Sequence, residues 1–343
     1  MNSERIKYRT IFCIVAIALS VLSSSFSPHS KWIGLPETEL IQIHSSIRNF
    51  KVNSFDPEVS SNADSVIIPM KHSGRLFLIE ATVDGETGNL VFDTGANGLV
   101  LNSTYFRDHV ASGGANSNGI TGSVGPVEQI SVDQLEFADL KYKNLSADKA
   151  NLGHIENRRG VKILGLIGFG MIRNFEIVID PGNSELKLFR IDKAGQRISH
   201  KSPDFKPDYI QKIAGNSNIL FLQGIIGGKA LNFCFDTGAE TNTLSSDSNK
   251  KILSTLTITR RVALKGTGAA GSEVLFGRMN DFTIGTRQIK NMETIITNLD
   301  ALREAYGTSI DGMLGYNFLQ HGTVCVNFVK KQFGIRFTKG EEK

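Results

Sequence analysis

One nine-residue segment of the chain occurs twice. Residues 89–97 read NLVFDTGAN and residues 232–240 read NFCFDTGAE, so Asp93 and Asp236 lie 143 residues apart (236 − 93). Internal similarity at a fixed spacing is typical of a repeated structural unit. The segment therefore predicts a chain built from two copies of one fold.

Three further features recur in the same order around each copy. A predicted β-hairpin leads into the segment, a glycine-rich stretch follows it, and an apolar stretch containing two glycines or an Asp-Gly pair comes near the end of the unit. In that order the pairs are residues 76–92 and 220–235, 119–125 and 266–271, and 164–169 and 311–316. Chance explains four ordered matches poorly, so the chain contains a duplication.

The repeated unit is rich in short alternating or β-branched segments with glycine turns between them, which is typical of β-strands. The one convincing helical stretch is Leu299 to Tyr306. With 343 residues the chain is long enough for two such units. The sequence predicts an all-β fold of two similar β-barrel-like lobes with minor helix. The expected divisions are a signal peptide at 1–27, an N-terminal lobe at 64–190, a polar linker at 191–206 and a C-terminal lobe at 207–338.

Residues 28–63 carry no strong pattern, and three roles stay open for them: a leader, a removable propeptide or an added edge strand. Before them, the basic residues Arg5, Lys7 and Arg9 precede an apolar run at 11–22 and a serine-rich stretch, which is typical of a secretory signal. The run is shorter than the roughly 20 residues that span a bilayer. We expect an exported protein, periplasmic or secreted, that touches the membrane only if this signal stays uncleaved.

Composition excludes several other classes of function. The net charge is only +4 and the basic residues are scattered, so nucleic-acid binding is not expected. The seven histidines show no metal-ligand spacing. Residues 266–271 fit the dinucleotide fingerprint G-x-G-x-x-G, but residues 272–284 after them are predicted as strand instead of the required helix. No cofactor or metal is expected, and Cys234 and Cys325 are predicted as thiols in preference to a disulfide.

An Asp-Thr-Gly turn after an apolar strand places a carboxylate where the chain reverses. One such turn is an ordinary structural feature. If two lobes pack about a pseudo-twofold axis, however, Asp93 and Asp236 lie side by side and share one proton. The ionised partner can then take a proton from water while the protonated one donates to a scissile carbonyl. Thr94 and Thr237 offer hydroxyls that can hydrogen-bond across the turns, and Gly95 and Gly238 allow close backbone approach.

These turns resemble those of the pepsin and retropepsin clan of aspartic proteases, and the sequence DTGA looks most like retropepsins. Residues 163–168 and 310–315 resemble the clan's hydrophobic-hydrophobic-glycine element. The resemblance covers nearly all of residues 64–338. It implies catalytic roles for Asp93 and Asp236, with Thr94, Gly95, Thr237 and Gly238 supporting them. It also implies a flap over the substrate, placed at Gly122, Ser123, Val124 and Gly125, with a second hairpin near 266–273.

Two departures from the clan accompany this resemblance. Neither glycine-rich stretch contains the flap tyrosine of pepsin-like enzymes, and both lobes lie in one chain, so we expect a monomer. The predicted function is an aspartic endopeptidase acting on peptide or protein substrates. The alternatives are a catalytically silent peptide-binding or inhibitory module, and an envelope protein in which the turns are structural. Glu240, placed where the first lobe has Asn97, is expected to face solvent or hydrogen-bond locally, although it could contact substrate.

Overall fold

The described part of the chain folds almost entirely into β-strands. The computed structural model describes residues 58–59, 64–109, 128–199, 204–213, 218–264, 272–300, 302–303 and 308–338. These residues form two barrel-like sheets and a third sheet that connects them. The all-β fold with two similar lobes is confirmed.

The first lobe is an eight-stranded sheet closed on itself. Its sheet order is β1-β8-β6-β9-β5-β4-β3, with β7 pairing with both β4 and β8. A short helix, α1 (Gly153–Arg159), follows β8. The strands of this half are β1 (Glu58–Val59), β2 (Ser65–Pro69), β3 (Lys71–Ser73), β4 (Leu76–Val83), β5 (Glu86–Phe92), β6 (Leu99–Asn102), β7 (Glu128–Phe137), β8 (Leu140–Ala150), β9 (Ile163–Ile167), β10 (Phe175–Asp180) and β11 (Glu185–Arg190).

The second lobe repeats this plan in a nine-stranded sheet. Its order is β16-β17-β20-β15-β21-β14-β13-β18-β19. Two short helices, α2 (Lys250–Leu253) and α3 (Tyr316–Leu319), lie within it. The strands of this half are β12 (Tyr209–Lys212), β13 (Leu220–Ile226), β14 (Lys229–Phe235), β15 (Asn242–Ser245), β16 (Leu256–Leu264), β17 (Ser272–Met279), β18 (Phe282–Ile284), β19 (Arg287–Ile289), β20 (Met292–Thr297), β21 (Gly312–Leu314), β22 (Gly322–Asn327) and β23 (Gln332–Phe337).

A six-stranded sheet joins the two lobes. Its order is β12-β23-β22-β10-β11-β2, so each half of the chain contributes three strands. The halves meet where β10 pairs antiparallel with β22, with Ile177 opposite Val326. One large cluster of buried apolar side chains includes residues from both lobes and from this sheet. The lobes are therefore parts of one hydrophobic core instead of separate bodies.

Two tight hairpins lead the chain into the repeated segments. In the first, β4 and β5 are joined at Asp84-Gly85, whose φ angles are 47° and 86°. In the second, β13 and β14 are joined at Gly227-Gly228, with φ angles of 60° and 75°. Two consecutive left-handed residues give the turn whose twist matches that of the paired strands. The predicted hairpins are confirmed.

Helix is somewhat more frequent than the sequence indicated. The predicted stretch at 299–306 is helical at residues 300 and 302–303, where Arg303 N donates to Leu299 O at 2.9 Å, and residues 304–307 lie outside the described part. The helices α1, α2 and α3 were not predicted. At four to seven residues each, they are too short to show a helical period in the sequence.

The N-terminal predictions fall mostly outside the described residues. This applies to the signal peptide at 1–27 and to most of 28–63, of which only Glu58–Val59 is described. That pair adds an edge strand beside Leu140 and Lys141 of β8. Within the described residues, no helix is long and apolar enough to cross a membrane. Cys234 and Cys325 are not joined by a disulfide bond, as expected.

Candidate active site

The same arrangement of three strands places each of the two repeated aspartates. Asp93 follows β5 and Asp236 follows β14. In the first lobe, β9 runs parallel to β5 and antiparallel to β6, the strand after the turn. In the second lobe, β21 runs parallel to β14 and antiparallel to β15 in the same way. Asp93 N donates to Ile167 O, and Asp236 N donates to Leu314 O, both at 2.9 Å. The late apolar segment of each unit therefore fixes the backbone of its Asp-Thr-Gly turn.

The structure brings the two aspartates together at the contact between the lobes. Both side chains are fully buried. A side-chain carbon added to Gly95 would lie 2.7 Å from Asp236 Oδ2, and one added to Gly238 would lie 2.6 Å from Asp93 Cγ. Each carboxylate thus packs directly against the glycine of the opposite lobe. Any larger residue at either glycine would push the carboxylates out of place.

Main-chain donors orient one oxygen of each carboxylate. Asp93 Oδ1 accepts hydrogen bonds from Gly95 N at 2.9 Å and Ala96 N at 3.1 Å. Asp236 Oδ1 accepts one from Gly238 N at 2.8 Å. Beyond the contact between the two carboxyl groups themselves, the Oδ2 atom of each has no hydrogen-bond partner within the described part of the chain. One oxygen of each group is therefore fixed, and the other can hold a proton or contact a bound molecule.

Thr94 and Thr237 link the two turns by four buried hydrogen bonds. Thr94 Oγ1 donates to Phe235 O at 2.9 Å, and Thr237 Oγ1 donates to Phe92 O at 2.6 Å. Each hydroxyl also accepts from the other threonine's N–H, at 3.0 and 3.1 Å. Every one of these bonds crosses between the lobes. The two turns are therefore joined directly to each other at their threonines.

Burial and mutual repulsion set the protonation of the pair. Burial, followed by the negative charge of Asp236, raises the pKa of Asp93 well above its usual range. Burial also raises the pKa of Asp236, although hydrogen bonds from Asp93 and from main-chain N–H groups act in the opposite direction. Two adjacent buried carboxylates do not both ionise easily. The pair is expected to hold one shared proton over a wide pH range.

The residue that follows each Asp-Thr-Gly-Ala segment also contacts the opposite lobe. The expectation that Glu240 faces solvent or hydrogen-bonds locally is wrong: only 2% of the residue is exposed, and it forms an ion pair with Arg159. The error arose because the partner lies 81 positions away in the sequence, at the end of α1. The only sequence signal was the position of Glu240 beside the motif, which does not identify a distant partner.

The predicted flap, Gly122, Ser123, Val124 and Gly125, lies outside the described residues, as do residues 266–271 of the second glycine-rich stretch. The segment after the second stretch is strand, β17 followed by β18, as predicted. The helix that a dinucleotide fingerprint requires is therefore not formed there. The described residues contain no group of three or more histidine, cysteine, aspartate or glutamate side chains placed to hold a metal ion.

The fold and the site define a class of protein: a two-lobed β-protein in which an Asp-Thr-Gly turn from each lobe supplies one member of a buried carboxylate pair. Residues 222–318, within the second lobe, match the sequence model of the aspartyl protease family. The second lobe is therefore similar in sequence to the aspartyl protease family, in agreement with the resemblance of the two Asp-Thr-Gly turns to those of the pepsin and retropepsin clan.

Solved structures of other proteins resemble this one. The aspartic proteinase from Irpex lacteus is similar in structure, with 13% sequence identity and a TM-score of 0.48 over 80% of this chain and 98% of that one. A search of curated proteins found no match.

Proposed function

We propose that the protein is an aspartic endopeptidase that hydrolyses peptide bonds with a water molecule activated between Asp93 and Asp236. The observation that carries this proposal is the carboxylate pair itself. Two buried acids, one from each lobe, each lie against the glycine of the opposite lobe. Burying two neighbouring carboxylates is unfavourable for folding, and such perturbed groups are concentrated at functional sites.

The geometry supports general acid–base catalysis without a covalent intermediate. The ionised carboxylate removes a proton from water as the water oxygen attacks the carbonyl carbon of the substrate. The protonated carboxylate donates its proton to the carbonyl oxygen, giving a neutral tetrahedral diol. The carboxylate that took the proton from water then gives it to the amide nitrogen, while the other carboxylate takes a proton from a diol hydroxyl. The C–N bond breaks, the amine and the carboxylic acid leave, and one proton remains on the pair for the next cycle. These steps use only the two aspartates and water.

The proposal also includes the oligomeric state, the substrates and the cellular location of the enzyme. Because one chain contains both Asp-Thr-Gly turns, a monomer can form the complete dyad, and no cofactor takes part. The substrates are peptides or proteins. The basic and apolar pattern at the N-terminus supports an exported protein, either periplasmic or secreted.

Cleavage of a denatured protein, measured from about pH 3 to pH 8, tests the proposal. The wild type should cleave, and a statine-type transition-state analogue should inhibit it. Asp93→Asn and Asp236→Asn should each lose at least about 100-fold in kcat, because proton transfer contributes factors of this size. Asp133→Asn is the matched control, since Asp133 is exposed on β7 and should keep wild-type activity.

The outcomes separate the proposal from its alternatives. Undiminished cleavage by either Asp→Asn variant at the dyad would refute the assignment of catalysis to this pair. A wild type that binds peptide by calorimetry but never cleaves it would identify a catalytically silent peptide-binding module instead.

A further inference from the structure

The two sides of the carboxylate pair are built differently. Asn97 and Glu240 occupy equivalent positions, four residues after Asp93 and Asp236. On the Asn97 side, Asn218 Nδ2 donates to Asn97 Oδ1 at 2.8 Å and to Asn97 O at 3.1 Å. On the Glu240 side, the contact is an ion pair with Arg159. Both contacts cross between the lobes, but only the second joins two opposite charges.

The Arg159–Glu240 pair is largely shielded from solvent. The Arg159 side chain is 11% exposed and that of Glu240 is 3% exposed. Arg159 is the last residue of α1, and its guanidinium lies against Gly74, where the space that an added side-chain carbon would occupy is already filled by Arg159 Nη1. A shielded charge is stable only when its partner is correctly placed. The ion pair therefore imposes a definite distance between the end of α1 and Glu240.

A second arginine of the first lobe supports the same segment. Arg75 Nη1 lies 2.6 Å from Glu293 Oε2 on β20 of the second lobe. The same nitrogen makes longer contacts of 3.4 Å with Glu240 O and Thr241 Oγ1. Glu240 is thus held by its side chain through Arg159, and its main chain is contacted by Arg75.

Glu240 is connected to the Asp236 turn without an intervening loop. It directly follows Ala239, whose N–H donates to Asp236 O at 3.3 Å and whose carbonyl accepts from Tyr316 N at 2.8 Å. No flexible segment separates Glu240 from this hydrogen-bonded turn. A shift of Glu240 is therefore expected to move the Asp236 carboxylate relative to that of Asp93.

We propose that Arg159 and Glu240 are positioning residues whose ion pair holds the Asp236 turn against the first lobe. The inference rests on the proposed endopeptidase function. The pair acts through Asp236 and does not touch the reacting atoms. On the opposite side, the amide contact between Asn97 and Asn218 has the corresponding role for the Asp93 turn. The dyad is therefore supported by an ion pair on one side and, on the other, by the Asn97–Asn218 amide contact, in which Asn218 Oδ1 also accepts from Arg173 Nη1.

Steady-state kinetics of Glu240→Gln and Arg159→Met test this inference. Each change removes one charge and keeps a side chain of similar length. We expect kcat to fall about tenfold or more, because misplacing a catalytic group by about 1 Å can lower the rate about 100-fold. KM should stay within about twofold of the wild-type value, as expected when an interaction acts on the transition state. The double variant should lose no more than the more impaired single variant.

Glu80→Gln is the matched control, since it breaks the Lys71–Glu80 pair, in which both side chains are more than half exposed. It should leave kcat and KM unchanged. If Glu240→Gln does not fold, Arg159→Lys replaces it, because lysine keeps the charge but not the forked geometry. A partial loss of kcat in this variant supports the proposal, and wild-type kcat overturns it.

Two results with folded variants would also overturn the proposal. Wild-type kcat in both Glu240→Gln and Arg159→Met would show that the pair does not position the dyad. A raised KM with unchanged kcat would make it a substrate-binding element instead. Both results require a wild type that cleaves its substrate. If the wild type itself does not cleave, the proposed function fails, and this inference fails with it.

Discussion

Thr94 and Thr237 each donate a hydroxyl hydrogen bond to the main chain of the opposite lobe and accept one from the other threonine's N–H. All four bonds are buried, and all four cross the boundary between the lobes. The two aspartates therefore do not depend on their own lobe alone for position. Separating the lobes at this point would leave buried polar groups of both turns without partners.

Thr94→Val should destabilise the protein and lower its activity together. Valine has nearly the same shape but leaves Phe235 O and Thr237 N without their partner, and each unsatisfied buried group costs about 1 to 3 kcal/mol. We expect the free energy of unfolding in urea to fall by about 2 kcal/mol or more. Thr94→Ser, which keeps the hydroxyl, should lose much less. Equal stability of the valine variant and the wild type would contradict this account of the threonine pair.

Gly238→Ala should abolish the proposed cleavage activity even if the protein still folds. The added carbon would lie 2.6 Å from Asp93 Cγ, so the Asp93 carboxylate must move away from Asp236. We expect kcat to fall at least about 100-fold, since displacement by about 1 Å has an effect of this size. Gly182→Ala is the control, because its nearest contact would be an ordinary 3.7 Å. Full activity of Gly238→Ala would show that the turns do not pack as closely as described.

The dyad should make stability decrease as the pH rises. The pKa of Asp93 is raised by burial and by the neighbouring charge, so the folded protein keeps a proton that the unfolded chain releases near pH 4. The stabilisation is complete below that pH and is lost as the pH rises through the raised pKa. Urea unfolding of wild type and Asp93→Asn from about pH 4 to pH 8 checks this. The free energy of unfolding of the wild type, relative to that of Asp93→Asn, should fall as the pH rises. A difference that stays constant with pH would show that Asp93 does not have a raised pKa.

Much of this site could be predicted because residues that are adjacent in the sequence specify it. The segment around Asp93 and its copy around Asp236 show the strand, the turn and the small residues that the dyad requires. A repeated motif also implies that two lobes meet, which places the two acids side by side. The hairpin turns were predictable for the same reason, since Asp84-Gly85 and Gly227-Gly228 each favour one turn type.

The interlobe contacts beside the dyad could not be predicted in this way. Nothing in the residues around Glu240 indicates that Arg159 will reach it, because the contact depends on where α1 ends in three dimensions. Glutamate side chains are mostly exposed in proteins, and this tendency also favoured the wrong expectation that Glu240 faces solvent. The short helix α1 itself leaves no helical period in seven residues. Such contacts are properties of the assembled fold.

The segment predicted as a linker contributes another buried ion pair, and its loss should destabilise the joining sheet. Arg197 Nε donates to Glu176 Oε1 at 2.7 Å, and Asn327 Nδ2 donates to Glu176 Oε2 at 3.2 Å. Glu176 lies on β10, the strand that pairs across the halves with β22. Arg197→Met would leave the carboxylate buried without its charged partner, which typically costs about 3 to 5 kcal/mol.

We therefore expect a clear fall in the free energy of unfolding for Arg197→Met, measured by urea titration at neutral pH. The double variant Arg197→Met with Glu176→Gln removes both charges and should recover part of the loss, since most of the penalty comes from the unpaired carboxylate. If the single variant were as stable as the wild type, the pair would contribute nothing to joining the halves. If the double variant were the less stable of the two, the loss would come from packing of the arginine side chain instead of from its charge.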